Sequence, residues 1–263
     1  MIRSCILLLA AVLLDAQAPL QNSGKPIRVA YECIPAELQA AGLSCSEDNP
    51  CPVYLELANI EAVGNKIFLT GNVHTSDTTL SSILLASEDG GGTWAEPHER
   101  IRSSGLDQIQ FFDYQNGWIS GANLQGAPRD PFLLITTDGG KTWRDRPLFE
   151  ESRVAAIEGF WFDTPEHGLL LVDATLDNAK RELYETRTGG ESWAIRQASA
   201  SPSFFARGQP GEPKFFVRSP TGEPGWRLQP EAATHSYAIE RSEGGGHWHK
   251  AASFLVSIAA CKE

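Results

Sequence analysis

Short apolar runs, each cut off by a polar turn, mark most of this chain. Between residues 106 and 147 the runs are Gln108–Phe112, Gly117–Gly121, Phe132–Thr136 and Thr142–Arg146, separated by turn-forming stretches such as "DYQNG" and "DGGK". The same order returns at Ala156–Phe162, Gly168–Asp173, Glu182–Thr186 and Ser192–Gln197, broken by "DTPEHG" and "GGE". Runs this short, bounded by Gly, Asp and Asn, predict β-strands rather than helices. Helical spacing is confined to "PAELQAAGL" (Pro35–Leu43), where Pro35 suits the first helical position and Gly42 a C-terminal cap.

The strand pattern is periodic. "TTDGGKTW" (Thr136–Trp143) returns in altered form as "SEDGGGTW" (Ser87–Trp94), "TRTGGESW" (Thr186–Trp193) and "RSEGGGHW" (Arg241–Trp248). The four tryptophans, Trp94, Trp143, Trp193 and Trp248, are 49, 50 and 55 residues apart. A second glycine marker keeps step, with Gly64, Gly117, Gly168 and Gly225 lying 30, 26, 25 and 23 residues before them. The repeating units are 53–98, 106–147, 153–198 and 213–252, inside a region 53–258. Antiparallel four-stranded units with a period near 50 predict stacked β-propeller blades, because one such sheet cannot bury both faces alone. The expected fold is therefore an all-β propeller of about four blades, five if residues 27–52 and 253–258 add strands.

The repeated turn has a physical logic of its own. Asp138 accepts hydrogen bonds from the backbone just ahead, and Gly140 takes a left-handed conformation without steric cost. Thr142 returns its hydroxyl to the loop, and Trp143 packs the corner onto the sheet. Asp89, Gly91, Thr93 and Trp94 are the corresponding residues of the first copy. The third keeps Gly190, Ser192 and Trp193 but has Thr188 in place of the aspartate; the fourth keeps Gly245 and Trp248 with Glu243 and His247 substituted. A carboxylate that a threonine can replace is a turn cap, not a catalytic group, so these residues are expected to be structural.

"SEDGGGTW" and "TTDGGKTW" resemble the Asp-box, or bacterial neuraminidase repeat, S-x-D-x-G-x-T-W. The pairing of "FDYQNGWISG" with a later "TTDGGKTW" is more specifically similar to the propeller family of photosystem II stability and assembly factors. The resemblance covers about Val53 to Ala252 and implies a propeller in which the boxes are structural. Sialidases are more distant relatives. That family's F/Y-R-I-P motif does not occur; the nearest string, "HERIRSSG", follows the first box.

Charge narrows the partner. The net charge is −11, and removal of residues 1–18 leaves it unchanged, since Arg3 and Asp15 go together. No basic run exceeds two residues, which argues against nucleic acid. Residues 1–18 read as an export signal, with Arg3, the apolar run Ile6–Leu14 and the small-x-small triplet Ala16-Gln17-Ala18. Pro19 is a poor neighbour for cleavage, and the alternative is an uncleaved anchor. No later segment is apolar enough to span a membrane. Residues 19–52 form a cysteine-containing segment, and 259–263 a tail with Cys261. Cys33, Cys45, Cys51 and Cys261 allow three pairings; "SEDNP" between Cys45 and Cys51 favours a local bond, leaving Cys33 with Cys261 as a clasp between the ends. In a closed ring, "SFLVSI" near the C-terminus would pair beside an N-terminal strand.

Candidate chemistry is thin. His247 and His249 in "HWH" are read as surface residues before a metal pair. "DATLDNAKRE" (Asp173–Glu182) is read as a solvated connection before a calcium loop. Trp118, Trp161 and Trp226 are read as packing residues before sugar platforms. No nucleophile elbow, zincin or Walker pattern occurs. Residues 199–231, rich in Pro and Gly, interrupt the fourth unit and are the expected recognition loop. The sequence thus predicts an exported, non-catalytic scaffold without cofactor or metal that binds another envelope or secreted protein. The alternative is a carbohydrate-binding or sialidase-like glycosidase propeller that takes a glycan.

Overall fold

The computed structural model describes residues 19–200 and 225–262. The export signal therefore lies outside the described residues, as does most of the 199–231 insertion. None of the described helices is long and apolar enough to cross a membrane.

The chain starts with β1 (Leu20–Gln21), β2 (Ile27–Val29), α1 (Pro35–Ala40) and β3 (Cys51–Pro52). The first blade follows, with β4 (Tyr54–Val63), β5 (Lys66–His74) and β6 (Thr79–Ser87), and then the short β7 (Thr93–Trp94). The second blade is β8 (Ser104–Phe111), β9 (Gly117–Asn123), β10 (Arg129–Thr136) and β11 (Arg144–Pro147). The third is β12 (Ala156–Phe162), β13 (Gly168–Ala174), the one-turn α2 (Thr175–Asn178), β14 (Lys180–Thr186) and β15 (Ala194–Ser199). The fourth is β16 (Trp226–Glu231), β17 (Ser236–Ser242) and β18 (Trp248–Val256), with β19 (Ala260–Cys261) after it. The second and third blades are antiparallel four-stranded meanders, and the whole is an all-β protein of propeller blades.

The fourth blade takes its outer strand from the other end of the chain. β2 pairs in parallel with β18, with Ile27 opposite Phe254 and Val29 opposite Val256. A parallel pair cannot be made by a hairpin, so only the return of the distant N-terminal segment supplies it. Cys33 is bonded to Cys261 across 228 residues, and Cys45 to Cys51 across 6. β19 pairs with β3, so that Cys261 lies opposite Cys51. The sequence expectation that the C-terminal "SFLVSI" run finds an N-terminal strand is met in this way.

α1 ends where the sequence places its stop. Gly42 has φ +78°, its N–H donates to Gln39 O, and Leu43 N–H donates to Leu38 O. These two bonds are a Schellman cap, which a glycine makes without steric cost. Leu38 is buried against the fourth- and first-blade core.

Three apolar cores run along the chain of blades. Ile239 and Phe254 of the fourth blade pack with Leu57, Leu69 and Leu85 of the first. Phe68 and Leu84 of the first pack with Ile119 and Leu134 of the second. Trp118 and Ile135 of the second pack with Phe160 and Leu170 of the third. The packing order is fourth, first, second, third; among the described residues no core cluster joins the third blade to the fourth. The inner strands β16, β4, β8 and β12 are neighbours in that order.

Side-chain amides reinforce one of these joints. Gln108 Nε2 donates to Phe160 O at 2.7 Å while Phe160 N–H donates to Gln108 Oε1 at 3.0 Å. Gln110 repeats this with Phe162, at 2.8 and 2.9 Å. Glu61, one repeat upstream of Gln110, accepts from Phe111 N–H in the same sense.

Candidate functional site

The repeated turns are closed by their own side chains. In the second blade Asp138 Oδ1 accepts from the N–H groups of Lys141 and Thr142 at 3.0 Å, and Asp138 Oδ2 from the Thr142 hydroxyl at 2.6 Å. The Thr136 hydroxyl accepts from Gly140 N–H and donates to Asp138. Trp143 is buried, with its indole N–H on Gly140 O. Partial burial pushes the Asp138 carboxyl up, but its bonds from Thr142, Thr136 and Lys141 outweigh this and hold it at about 2. Asp89 is likewise held at about 2, chiefly by Thr93 N–H, then by the Ser87 and Thr93 hydroxyls.

The altered copies keep part of this network. In the third blade Thr188 Oγ1 accepts from Ser192 N–H at 3.0 Å, in the position the aspartate oxygen takes elsewhere. In the fourth, Gly244 N–H donates to the Ser242 hydroxyl, and Gly245 has φ +66°. Trp193 packs edge-on to Phe162 at 5.9 Å, as Trp143 does to Phe111 at 5.8 Å. Trp248 instead lies under the Arg227 guanidinium at 4.3 Å. The first three turns also dock onto a neighbouring hairpin of their own blade, with Gly90, Gly139 and Gly189 N–H donating to Asn65, Gln115 and Glu166 carbonyls. Every polar group named here is engaged in holding the corner.

The other sequence candidates divide. Trp118 is buried, with its indole N–H on Gly189 O and its ring stacked 3.7 Å from Phe162. Trp161 and Trp226 are half-buried, and Arg241 lies over Trp226 at 5.7 Å. His247 and His249 are exposed, and His249 has Glu243 at 3.8 Å. No group of three or more His, Cys, Asp or Glu side chains is placed for a metal among the described residues.

The 173–182 connection is occupied by its own ion pairs. Arg153 meets both Glu182 oxygens at 2.8 Å, and its Nε donates to Asp177 at 2.8 Å. The Tyr184 hydroxyl and Asn178 amide also donate to Glu182. The arginine holds the Glu182 carboxyl at about 2, and burial followed by the bond to Glu182 pushes Tyr184 up. The Tyr184 phenol is thus held on the protonated side by its surroundings, the opposite of the shift that activates a nucleophilic hydroxyl. Arg153 is also fully spent inside the cluster. In a groove at the turn ends of the second and third blades, lined by Asn116, Trp118, Arg144 and Glu191, the charged groups are also engaged within the chain, since Arg144 and Arg146 both bind Glu191.

One cluster is not neutralised, and the repeat itself builds it. In the first three blades the inner strand slips register against the next strand at one spot. The slips lie between Leu57 and Asn59, Leu106 and Ile109, and Ile157 and Gly159. Each inserts an extra residue, a β-bulge, which turns a side chain out of the alternation. The exposed residues there are Ala58, Asp107 and Glu158. Gly71 stands opposite Leu57, just before the first bulge, and a Cβ there would meet Glu56 O at 2.0 Å. The bulged strand can approach only because that position has no side chain.

Of the three positions, Ala58 is neutral and Glu158 is paired with Arg181 at 2.7 Å. Asp107 has no cation. Burial, then the charge of Glu56, pushes its carboxyl above the ordinary 3.8. Water reaches the side chain, but protein walls enough of its surroundings to disfavour the charge. Burial, then the charge of Glu56, also pushes up the Tyr237 hydroxyl. Asn72 Nδ2 donates to Glu56 Oε2 at 3.0 Å, while Asn72 Oδ1, in a residue only 7% exposed, has no partner. Two residues along β4, the Tyr54 ring lies 5.6 Å from His74 and 5.3 Å from His235. Among the described residues no lysine or arginine is paired with Glu56 or Asp107. Sequence reasoning does not find this cluster, because a single inserted residue within a strand leaves no mark on the apolar pattern.

No family model matches the chain, and no curated protein does. Solved structures that it resembles include a GH74 xyloglucanase from Xanthomonas campestris, at 21% identity and TM-score 0.39, over 51% of this chain and 19% of that one. YCF48 bound to D1 peptide matches at 16% and 0.41, over 79% and 59%. YCF48 from Cyanidioschyzon merolae matches at 18% and 0.40, over 76% and 57%. The chain thus spans about a fifth to three fifths of these proteins. Likenesses this loose transfer neither an activity nor a partner.

Proposed function

We propose that this protein is an exported, non-catalytic scaffold that binds a partner protein on the inner face of its blades. The observation that carries the reading is the uncompensated pair Glu56 and Asp107. Among the described residues, of the carboxylates at the bulges Glu158 meets Arg181 and Asp107 meets no cation, while Glu56 meets only the Asn72 amide. A fold that neutralises Glu158 and Glu182 but leaves Asp107 open keeps that position for something outside the chain. The Asp-box resemblance of the turns agrees with this, since it implies that the turns are structural. The two disulfides agree with an oxidising, exported setting.

The test is site-specific photo-crosslinking in the native host. A benzophenone side chain replaces Ala58 on the inner face or, as a control, Arg196 on outer strand β15. A single protein crosslinked in stoichiometric yield from 58 and absent from 196 is the expected result. Labelling from both sites alike, or from neither, overturns the reading.

A second reading rests on the same pair. Two carboxyl groups, one of them pushed above its ordinary range by burial, are the residue types that hydrolyse glycosidic bonds. Turnover of any member of a glycoside panel that Asp107→Asn abolishes would establish that reading in place of the first.

A further inference from the structure

The two disulfides lie side by side, and the strand register puts a third pairing within reach. Cys33 is bonded to Cys261 and Cys45 to Cys51, with Cα atoms 5.6 and 5.4 Å apart. β3 and β19 pair so that Cys51 faces Cys261, and Val53 N–H donating to Ala259 O at 3.0 Å continues that register. Residues directly opposite in an antiparallel pair have Cα atoms about 4.5–5.5 Å apart and side chains on one face, inside the range of roughly 4.4–6.8 Å that a disulfide spans. Cys51 and Cys261 are therefore placed to bond to each other, although each is bonded elsewhere. All four cysteines share one apolar core, with Cys45 and Cys261 buried in it and Cys33 and Cys51 half-buried against it. Each bond thus joins one sealed residue to one that solvent reaches.

We infer that reduction by two electrons moves the clasp: a single Cys51–Cys261 bond replaces both disulfides, releasing the segment between β2 and β3 while the C-terminal strand stays in place. The reductant is a dithiol, which closes to its own disulfide. When it opens Cys45–Cys51, the Cys51 thiolate attacks Cys261 Sγ. The Cys51–Cys261 bond forms, the Cys33–Cys261 bond breaks, and Cys33 leaves as a thiolate and takes a proton. When it opens Cys33–Cys261 instead, the Cys261 thiolate attacks Cys51 Sγ and Cys45 leaves. Both routes end with one protein disulfide, thiols at Cys33 and Cys45, and the dithiol oxidised. The released segment is then held to its neighbours by non-covalent ties. They include β2 on β18, Ser257 N–H on Val29 O at 2.7 Å, Tyr31 N–H on Ser257 Oγ at 3.2 Å and the Arg100 guanidinium on Ala30 O at 2.8 Å. A short strand and single bonds of this kind open locally at low cost. The exchange is independent of what the inner face of the blades binds.

The test uses the full chain with Cys5→Ser, so that the four bonded cysteines alone report. The oxidised protein is titrated with dithiothreitol in native buffer, quenched with N-ethylmaleimide and mapped by peptide mass spectrometry. Cys51–Cys261 is expected in at least about a third of the molecules that keep one disulfide, the share that equal stability of the three single-bond forms gives. A smaller share would overturn the exchange. Cys45→Ser leaves Cys51 without its partner and tests the same step without reductant. Cys33 is expected to be alkylated more than Cys51 in this variant, and the reverse order would count equally against the exchange. Hydrogen exchange of the singly reduced protein then distinguishes release of one segment from general loosening. Amides of residues 30–50 are expected to exchange at least about tenfold faster, while those of β19 and of the second and third blades keep their rates. Unchanged rates at 30–50, or faster exchange in every blade, would overturn the release.

Discussion

Gln110 and Phe162 are joined as two adjacent strands would be, although they lie in different blades. The glutamine amide donates to the Phe162 carbonyl at 2.8 Å and accepts from its N–H at 2.9 Å. Both residues are buried. Gln110→Leu keeps the volume and removes both bonds, leaving two buried backbone groups without partners. The expected loss is about 2–4 kcal/mol in urea unfolding. A loss below about 0.5 kcal/mol would show that water takes over the pairing.

The Arg153–Glu182 pair predicts acid sensitivity. The folded Glu182 carboxyl sits at about 2 against an ordinary 4.5, so its contribution is present above 4.5 and lost as the pH falls towards 2. Breaking a buried pair by removing one partner costs about 3–5 kcal/mol, and the exposed fifth of Arg153 lowers that to about 2–3 kcal/mol for Glu182→Gln. Urea midpoints measured from pH 7 to pH 3 are expected to fall less steeply in this variant than in the parent. Identical slopes would place the acid sensitivity elsewhere.

His167 works in the opposite direction. The Asp163 carboxylate at 2.6 Å and the Glu185 carboxylate at 3.1 Å push its imidazole above the ordinary 6.5. The stabilisation is complete below 6.5 and disappears as the pH rises through the folded value. The ring proton shifts of His167 are expected to titrate above 6.5, and Asp163→Asn to bring that midpoint down. A midpoint that the substitution does not move would assign the shift to Glu185.

The third turn can be improved. Thr188 gives Ser192 N–H a single oxygen, where Asp138 gives the second turn two. Thr188→Asp is expected to add about 0.5–1 kcal/mol of stability, read as a higher melting temperature. No gain would mean that the hydroxyl of Thr186 already completes that corner.

The sequence makes the strands and their turns legible because both follow local rules. Ala156–Phe162 is the expected strand to the residue, and Gly42 ends α1 at the expected place. The bulges at Asp107 and Glu158 follow no local rule. They depend on how the inner strand meets its neighbour, and Gly71 reads as an ordinary strand glycine until Glu56 O is seen against it. The glutamine bridges are hidden for the same reason. Gln108 and Gln110 look like the polar positions of a half-exposed strand, yet Gln110 is buried against the next blade. The candidate site is built from these cross-strand relations, so it appears only in three dimensions.

The pairing of β2 with β18 sets a timetable for assembly. Ile27 to Val29 are synthesised early, and their strand partners Phe254 to Val256 come 227 residues later. The second and third blades are made entirely of consecutive strands and are free to collapse while the chain is still growing. The fourth blade, its core with the first, and the Cys33–Cys261 bond all wait for the last few residues. Contacts so distant in sequence slow the final step, and until then the apolar edge of β18 has no neighbour. Aggregation during production is therefore expected to rise with any truncation or C-terminal fusion that delays residues 254–261, even when the finished protein is stable.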